Sequence, residues 1–510
     1  MTKIRPLCAL AVASFVSGCT VGPNYHIPST TMPSAYSAAS TQPASTAQAV
    51  EISRWWQTFN DPELNALIEH AVAANFDLEI ALTRLQEART LEVAIEGPSL
   101  PVAGLSAAAG RGSGTNSTKG RISPPLNAAS NTTGLKEITQ IAGFDAGWEL
   151  DLFGHYRREI EAAGDDTQAA AEVRNGVLIA VVADVARAYM DDRTYQMRVA
   201  IIQDNIRIER QTVDLVQERF NRGLTNEFDL TLAKRQLSSL ESQLAPLQEQ
   251  VAIAQRRLAV LIGDFPDNLP SQTSQPALLP QLPQLPQRIE PGLPVDLLRR
   301  RPDIRQAERE LAASTARIGA AEADLFPRVG ITAGAGLQGQ GLGRHPQESS
   351  FIWSAGPSAY WPLLDFGTLD ALIDIQDLRT HEQLLNYKRT VLSAVEEVEN
   401  AISGYDAEQN RLANLSDALV ASKRAVTLAS ERYDRGLTDF LNVLDAERQL
   451  YELQDQYAVA QETVVLQFIS LYKGLGGGWE DYQTIPDIRR PQPAIVATFQ
   501  RSLSSDDPEK

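Results

Sequence analysis

Two stretches of this chain are near copies of each other. One is ERFNRGLTNEFDLTLAKRQL, from Glu218 to Leu237, and the other is ERYDRGLTDFLNVLDAERQL, from Glu431 to Leu450. They align without a gap at an offset of 213, with 10 of 20 positions identical, and both carry Arg-Gly-Leu-Thr. The same offset carries Trp148, Leu150, Phe153 and Gly154 onto Trp361, Leu363, Phe366 and Gly367. Further upstream, Asp77, Pro101 and Gly110 map onto Asp303, Pro327 and Gly336 at an offset of 226. The net 13 extra residues fall in the Gly/Ser/Asn-rich stretch 110–131 of the first copy. An internal duplication constrains architecture more than any single motif, because the fold must be built from one unit used twice.

Each copy reads as helix, strand, strand, long helix, turn, helix. From His155 to Asn221 there are 67 residues without proline, and from Thr368 to Asp434 another 67. A helix of that length spans about 100 Å, far beyond what a globular domain needs. In the second, Leu412, Leu415, Leu419, Ser422, Val426, Ala429 and Tyr433 follow coiled-coil spacing. Shorter helices are expected over about Asp61–Gly97 and Thr225–Ile262, the latter kinked at Pro246. Between the copies, Pro266 to Pro294 holds eight prolines and reads as an extended linker. The expected boundaries are a first repeat at 61–264, a linker at 265–293 and a second repeat at 294–478, with a disordered tail at 479–510.

Four segments alternate apolar and small or polar residues with period two, at about 100–112, 138–153, 326–340 and 351–364. In the second, Ala142, Phe144, Ala146, Trp148, Leu150 and Leu152 alternate with Gly143, Asp145, Gly147, Glu149 and Asp151. Segments of this length, with aromatics toward their ends, match transmembrane β-strands and equally a half-buried soluble sheet. If they span lipid, four strands cannot close, and an open edge leaves unpaired N–H and C=O groups there. Closure takes about eight strands or more, hence several copies of the chain. After the first twenty residues no apolar run is long enough for a spanning helix. The net charge of -18 argues against a nucleic-acid partner.

The N-terminus reads as an address. Lys3 and Arg5 precede the apolar run Leu7–Val16, and then comes Val-Ser-Gly-Cys ending at Cys19. This resembles the lipobox of bacterial lipoproteins, which implies a signal peptide over 1–18, an acylated Cys19 and a lipidated extended segment over 19–60. Cys8 would leave with the signal peptide, so no disulfide within the chain is expected.

Together with that lipobox, several motifs resemble TolC-like outer-membrane efflux proteins. They are VGPNY at Val21–Tyr25, RWWQTFNDPEL at Arg54–Leu64, RRPDIRQAERELAAS at Arg300–Ser314, LFPR at Leu325–Arg328, LLDFG at Leu363–Gly367, LNVLDAERQLY at Leu441–Tyr451 and LYKGLGGGW at Leu471–Trp479. The nearest branch is the lipoprotein, NodT-type channel of RND tripartite pumps, and the likeness covers about 19–480. It implies a mostly α-helical chain with a transmembrane β part, three copies of which form a 12-stranded barrel and a long periplasmic α-helical barrel. It implies a passive exit duct for drugs or other small molecules, located in the outer membrane. Its partners would be itself as a homotrimer, a periplasmic adaptor, an inner-membrane pump and outer-membrane lipid, with no cofactor beyond the lipid on Cys19.

Two sites carry over from the resemblance. Arg222, Gly223, Leu224 and Thr225, and likewise Arg435, Gly436, Leu437 and Thr438, would be hairpin tips that meet the adaptor. Leu441 and Asp445, four apart on one helix face, would supply an apolar and an acidic constriction at the periplasmic gate. The first copy has Phe228 and Leu232 at the equivalent places, so the acidic ring would come from one hairpin only.

Other assignments were weighed. The run RRRPDIRQAERE from Arg299 reads as a solvated helix start, and Trp55–Trp56 as a packing anchor. The five histidines, at 26, 70, 155, 345 and 381, have no metal-ligand spacing, and GTNSTKG at Gly114–Gly120 lacks the glycine a phosphate loop needs before its lysine. An enzyme is therefore not expected. A duct for another cargo, such as a secreted protein or oligosaccharide, or a non-pore periplasmic coiled-coil lipoprotein, remains as the alternative.

Overall fold

A computed structural model describes residues 20–37, 51–111, 138–266, 282–283, 285–286, 289, 292–340 and 350–482. Cys19, the signal peptide, the Gly114–Gly120 loop, most of the linker and the tail beyond 482 lie outside the described residues.

The elements repeat at the sequence offsets. In the first half are α1 (Pro62–Ala74), α2 (Phe76–Glu96), β1 (Val102–Arg111), β2 (Ile138–Leu150), α3 (His155–Asn221) and α4 (Glu227–Leu261). In the second are α5 (Pro302–Ala323), β3 (Arg328–Gln340), β4 (Ser350–Tyr360), α6 (Thr368–Asp434) and α7 (Phe440–Gly474). An offset of 213 carries α3 onto α6 and α4 onto α7 with identical bounds at both ends. Helix α4 runs unbroken through Pro246.

The helix expected over Asp61–Gly97 is two helices. Asn75 is extended, with ψ 127°, and its Oδ1 accepts from the N–H groups of Asp77 and Leu78 at 2.9 and 3.1 Å. Its Nδ2 donates to Leu261 O at 2.7 Å. A short amide side chain that competes for backbone groups in this way ends one helix and caps the next.

The main core lies where the helices overlap midway along the molecule. Trp55 and Trp56 are almost wholly buried, their rings edge to face at 5.8 Å, and Trp55 stacks on Tyr472 at 6.1 Å. The pair is a packing anchor. Around it lie Phe59, Tyr405 and Phe468, together with Leu178, Val182 and Val185 from α3.

The charge run at Arg299 does start a helix, with Pro302 and Asp303 in the first turn of α5, but it is not solvated. Arg301 is 9 % exposed and its guanidinium bonds Gly474 O at 2.6 Å, Glu397 at 2.8 Å and Asp303 at 2.7 Å. Arg305 and Arg309 reach Glu172 and Asp165 of α3 at 2.6 and 3.1 Å. The run is a row of ion pairs fastening the second repeat to the first. A buried arginine persists only when its charge is answered in this way.

The four strands form one antiparallel sheet in the order β1-β2-β3-β4. Register decides its chemistry. Phe144 stands opposite Leu105 and Ala335, Ala335 opposite Trp353, and Trp148 opposite Ile331. Continued along the strands, this pairing gathers the expected apolar positions of β2 from Ala142 to Leu150 onto one face, while Leu152 lies beyond the strand's end. The other face carries mainly glycine, serine, threonine, Asp145 and Glu149, broken by Val102, Ile352 and Tyr360. On the apolar face Leu105, Phe144, Phe351 and Trp353 are each about two-thirds or more exposed, so none of the described residues covers it. Among the described residues the outer edges of β1 and β4 are unpaired.

At one end of the sheet Trp148 Nε1 donates to Ser99 O at 3.0 Å, and Trp361 Nε1 to Leu325 O at 2.9 Å. Donors and acceptors are related by the two sequence offsets, so the duplicated unit repeats its side-chain anchor as well as its backbone.

Gly143 faces Gly336 across β2 and β3, and a Cβ on Gly143 would fall 2.6 Å from Ala335 O and 2.7 Å from Gly336 Cα. A Cβ on Gly147 would meet nothing within 4 Å. Gly143→Val should therefore destabilise the sheet by about 1–3 kcal/mol, and Gly147→Val by no more than about 0.5 kcal/mol. The temperature at which the detergent-folded band is lost on heating checks both.

Candidate functional site

Each long helix ends in the same turn. At the first tip Gly223 has φ +72°, its N–H donates to Phe220 O at 2.9 Å, and the N–H of Leu224 donates to Arg219 O at 2.9 Å. At the second, Gly436 has φ +70°, with Gly436 N–H to Tyr433 O at 2.9 Å and Leu437 N–H to Arg432 O at 2.8 Å. This paired pattern satisfies the last helical carbonyls through a left-handed residue, which glycine adopts without a Cβ penalty. No atom lies within 4 Å of a Cβ built on either glycine, so the requirement is backbone conformation alone.

The flanking side chains point outward. Leu224 and Leu437 are 66 % and 64 % exposed, so neither folds back on its own helix. Arg222 pairs with Glu218. Thr225 Oγ1 donates to Asp229 Oδ2 at 2.5 Å, and Thr438 Oγ1 accepts from Asn442 Nδ2 at 2.8 Å.

The two tips lie side by side. Val216, Leu230, Leu232, Ala233, Tyr433, Phe440, Val443 and Leu444 form a separate small core between the hairpins. Arg219 spans it, with its guanidinium 4.5 Å from the centre of the Tyr433 ring and 3.5 Å from Asp434. Sequence reasoning did not single out Arg219. The signal was present, because Arg219 is matched by Arg432 at the duplication offset.

Leu441 and Asp445 occupy the opposite, uncovered side of α7. Leu441 is 58 % exposed, and Asp445 accepts only from its own helix, from Arg448 at 3.2 Å and Gln449 at 2.8 Å. Their counterparts in the first hairpin divide: Phe228 is exposed, but Leu232 is buried in the core between the tips. The face bearing an exposed leucine and a carboxylate is thus built by the second hairpin alone.

At the other end of α3, the backbone after Cys19 is gripped by a buried arginine. Arg158 donates to Val21 O at 3.1 Å, Gly22 O at 3.2 Å and Asn24 Oδ1 at 2.9 Å. Gly22, at φ +86°, presses on Gly319 so closely that a Cβ would fall 2.3 Å from its Cα. Thr20 lies against Gly154, between β2 and α3.

A family model described as outer membrane efflux protein matches residues 67–264 and 293–477. The chain belongs to this family. Among its relatives, "Nodulation protein T" of Rhizobium leguminosarum bv. trifolii is 30% identical over 469 residues, covering 91% of this chain and 95% of the relative. "Cation efflux system protein CusC" of Escherichia coli O6:H1 is 29% identical over 485 residues, covering 94% and 99%. The solved outer-membrane channel OprN superposes with a TM-score of 0.78 at 34% identity, covering 90% of this chain and all of that one.

As an outer membrane efflux protein the chain resides in the outer membrane. Among the described residues no helix is long and apolar enough to cross a membrane. The four-stranded sheet, with its uncovered apolar face, is the part suited to lipid. Helices α3 and α6 carry the tips about 100 Å from it.

Because the tip glycines are required for φ and not for space, Gly223→Ala and Gly436→Ala should each cost about 1–2 kcal/mol of local stability. Amide exchange should accelerate in the last turn of α3 or α6, with protection of the helix middles unchanged.

Proposed function

We propose that three copies of this chain join edge to edge, β1 of one against β4 of the next, to form a passive exit duct of 12 strands with a helical tube below it. The observation that carries this is the sheet: among the described residues it has one continuous apolar face, two open edges and no cover. In lipid an unpaired edge is untenable, and closure by identical copies removes it. A coiled-coil lipoprotein without a pore would have no use for such a face.

In this reading Cys19 carries the lipid, and Arg158 holds the following residues at the junction of sheet and helices, level with the membrane surface. The tips at Arg222–Thr225 and Arg435–Thr438 dock a periplasmic adaptor through the protruding Leu224 and Leu437. Around the threefold axis Leu441 and Asp445 form stacked apolar and acidic rings that close the periplasmic end. Apolar constrictions exclude ions by dewetting and acidic rings favour cations. The inner-membrane pump supplies the energy and selects the cargo, a small molecule or ion, and the duct itself performs no chemistry.

Single-channel recording in planar bilayers tests this. The parent protein should give low, cation-preferring conductance. Asp445→Ala should raise conductance and reduce cation preference, because the ring loses its charge while no contact outside its own helix is broken. Absence of any conductance from both forms overturns the duct.

A further inference from the structure

The seam between the two hairpins of one chain contains an acidic contact that the duct reading does not use. Helices α3 and α7 run antiparallel along it. Arg198 pairs with Asp455 at 2.7 Å on the side away from the tips. Toward the tips, Glu209 of α3 and Glu447 of α7 face the same buried space, 0 % and 4 % exposed. Tyr451 OH donates to Glu209 Oε2 across 3.5 Å. Glu209 Oε1 and Glu447 Oε2 have no hydrogen-bond partner, and neither does the Asn205 amide nitrogen one turn away on α3.

Among the described residues no cation pairs with these carboxyls. From α3 the nearest charges are Asp204 and Arg207, which pair with each other in solvent, and Arg210, which pairs with Glu241 of α4 in solvent. From α7 the groups facing Glu209 are Glu447 and Tyr451. From α4 the contacts are the apolar side chains of Leu237, Leu240 and Leu244. The duplication does not repeat the pair: Ser422 and Lys234 stand at the equivalent positions. Glu447 lies two residues beyond Asp445, on the covered side of the same helix.

Two carboxyls this close and this buried cannot both be charged, since each charge is desolvated and each repels the other. We propose that Glu209, Glu447 and Tyr451 form a proton-operated catch between the hairpins: a retained proton keeps α7 seated on α3, and its loss lets water in and parts them. The step is a simple ionisation, in which the carboxylic acid O–H breaks and the proton leaves to solvent. Burial, and then the charge of Glu447, push Glu209 up to about 8. Burial pushes Glu447 up to about 7. Once parted and hydrated, both return toward the ordinary value of 4.5. The closed seam binds protons more tightly than the open one. Closure is therefore fully favoured below that ordinary value and weakens as pH rises toward about 8. Only the consequence for conduction, a wider periplasmic end at higher pH, rests on the duct reading. The catch stands without it.

The test uses the full-length acylated protein in lipid nanodiscs, with spin labels on cysteines replacing the exposed Gln203 and Glu452 on either side of the seam. Pulsed electron resonance should give a single short distance at about pH 5.5 and a growing longer population toward about pH 8.5. The open-to-closed ratio should rise up to about tenfold per pH unit for each proton lost. Glu209→Gln with Glu447→Gln, which imitates the protonated pair, should hold the short distance throughout. Glu447→Gln alone should move the transition to higher pH, because one of the two ionisations that favour the open seam is gone and its charge no longer repels Glu209. A parent distance that ignores pH, or a double variant that opens as the parent does, overturns the catch. If the double variant does not assemble, a Glu447→Gln midpoint equal to the parent's overturns it instead. Bilayer conductance recorded over the same pH range separates the two readings. A pH-dependent distance with no conductance at any pH keeps the catch and removes the duct.

Discussion

The structure depends on one constraint: a sheet whose apolar face and whose edges find no partner among the described residues of their own chain. Backbone pairing across β1 to β4 sets most apolar side chains on the same side, so the sheet has a lipid-compatible face with the alternate positions mainly small or polar. Such a face and such edges are stable only when the surroundings supply hydrocarbon on one and hydrogen-bonding partners on the other. Membrane insertion and self-association are therefore two answers to one requirement. The helical half follows, because α3 and α6 leave the same end of the sheet that Trp148 and Trp361 anchor.

Below the membrane, polar contacts fasten the two repeats and the N-terminal segment to one another. Arg301, Arg305 and Arg309 tie the second repeat to α3 and to the end of α7, while Trp55 brings the N-terminal segment onto Tyr472. Arg158 does the same for the residues after Cys19. The rigid middle so formed contrasts with the α3–α7 seam farther down. Among the described residues that seam has the half-exposed Arg198–Asp455 ion pair, a small apolar core and a pair of uncompensated carboxyls. An element meant to move is expected at the weaker end of a long lever, and the tips are at that end.

Much of the fold was legible in the sequence because its signals are local and were written twice. Proline-free length and period-two alternation each require only neighbouring residues, and the repeated Arg-Gly-Leu-Thr marked two turns whose glycines do adopt positive φ. Where reading failed, a tertiary contact had overruled a local pattern. The run at Arg299 looks solvated until Gly474 and Glu397 arrive from α7 and α6 to bury Arg301. The helix at Asp61–Gly97 looks continuous until Leu261 accepts the amide of Asn75. Leu232 aligns with Asp445 in sequence, yet it is buried between the tips while Asp445 is exposed. Two copies of one unit diverge in this way because each packs against the other and not against itself.

The sequence by itself determined that this chain is built from one unit repeated, that its helices are long enough to leave a membrane far behind, and that its strands have two unlike faces. Those properties reside in spacing and composition along the chain. Only the tertiary structure decided that the apolar faces of all four strands coincide, that none of the described residues covers them, and that Glu209 meets Glu447. A register and a seam are relations between residues far apart in sequence, and a shift of one residue in either would have reversed them.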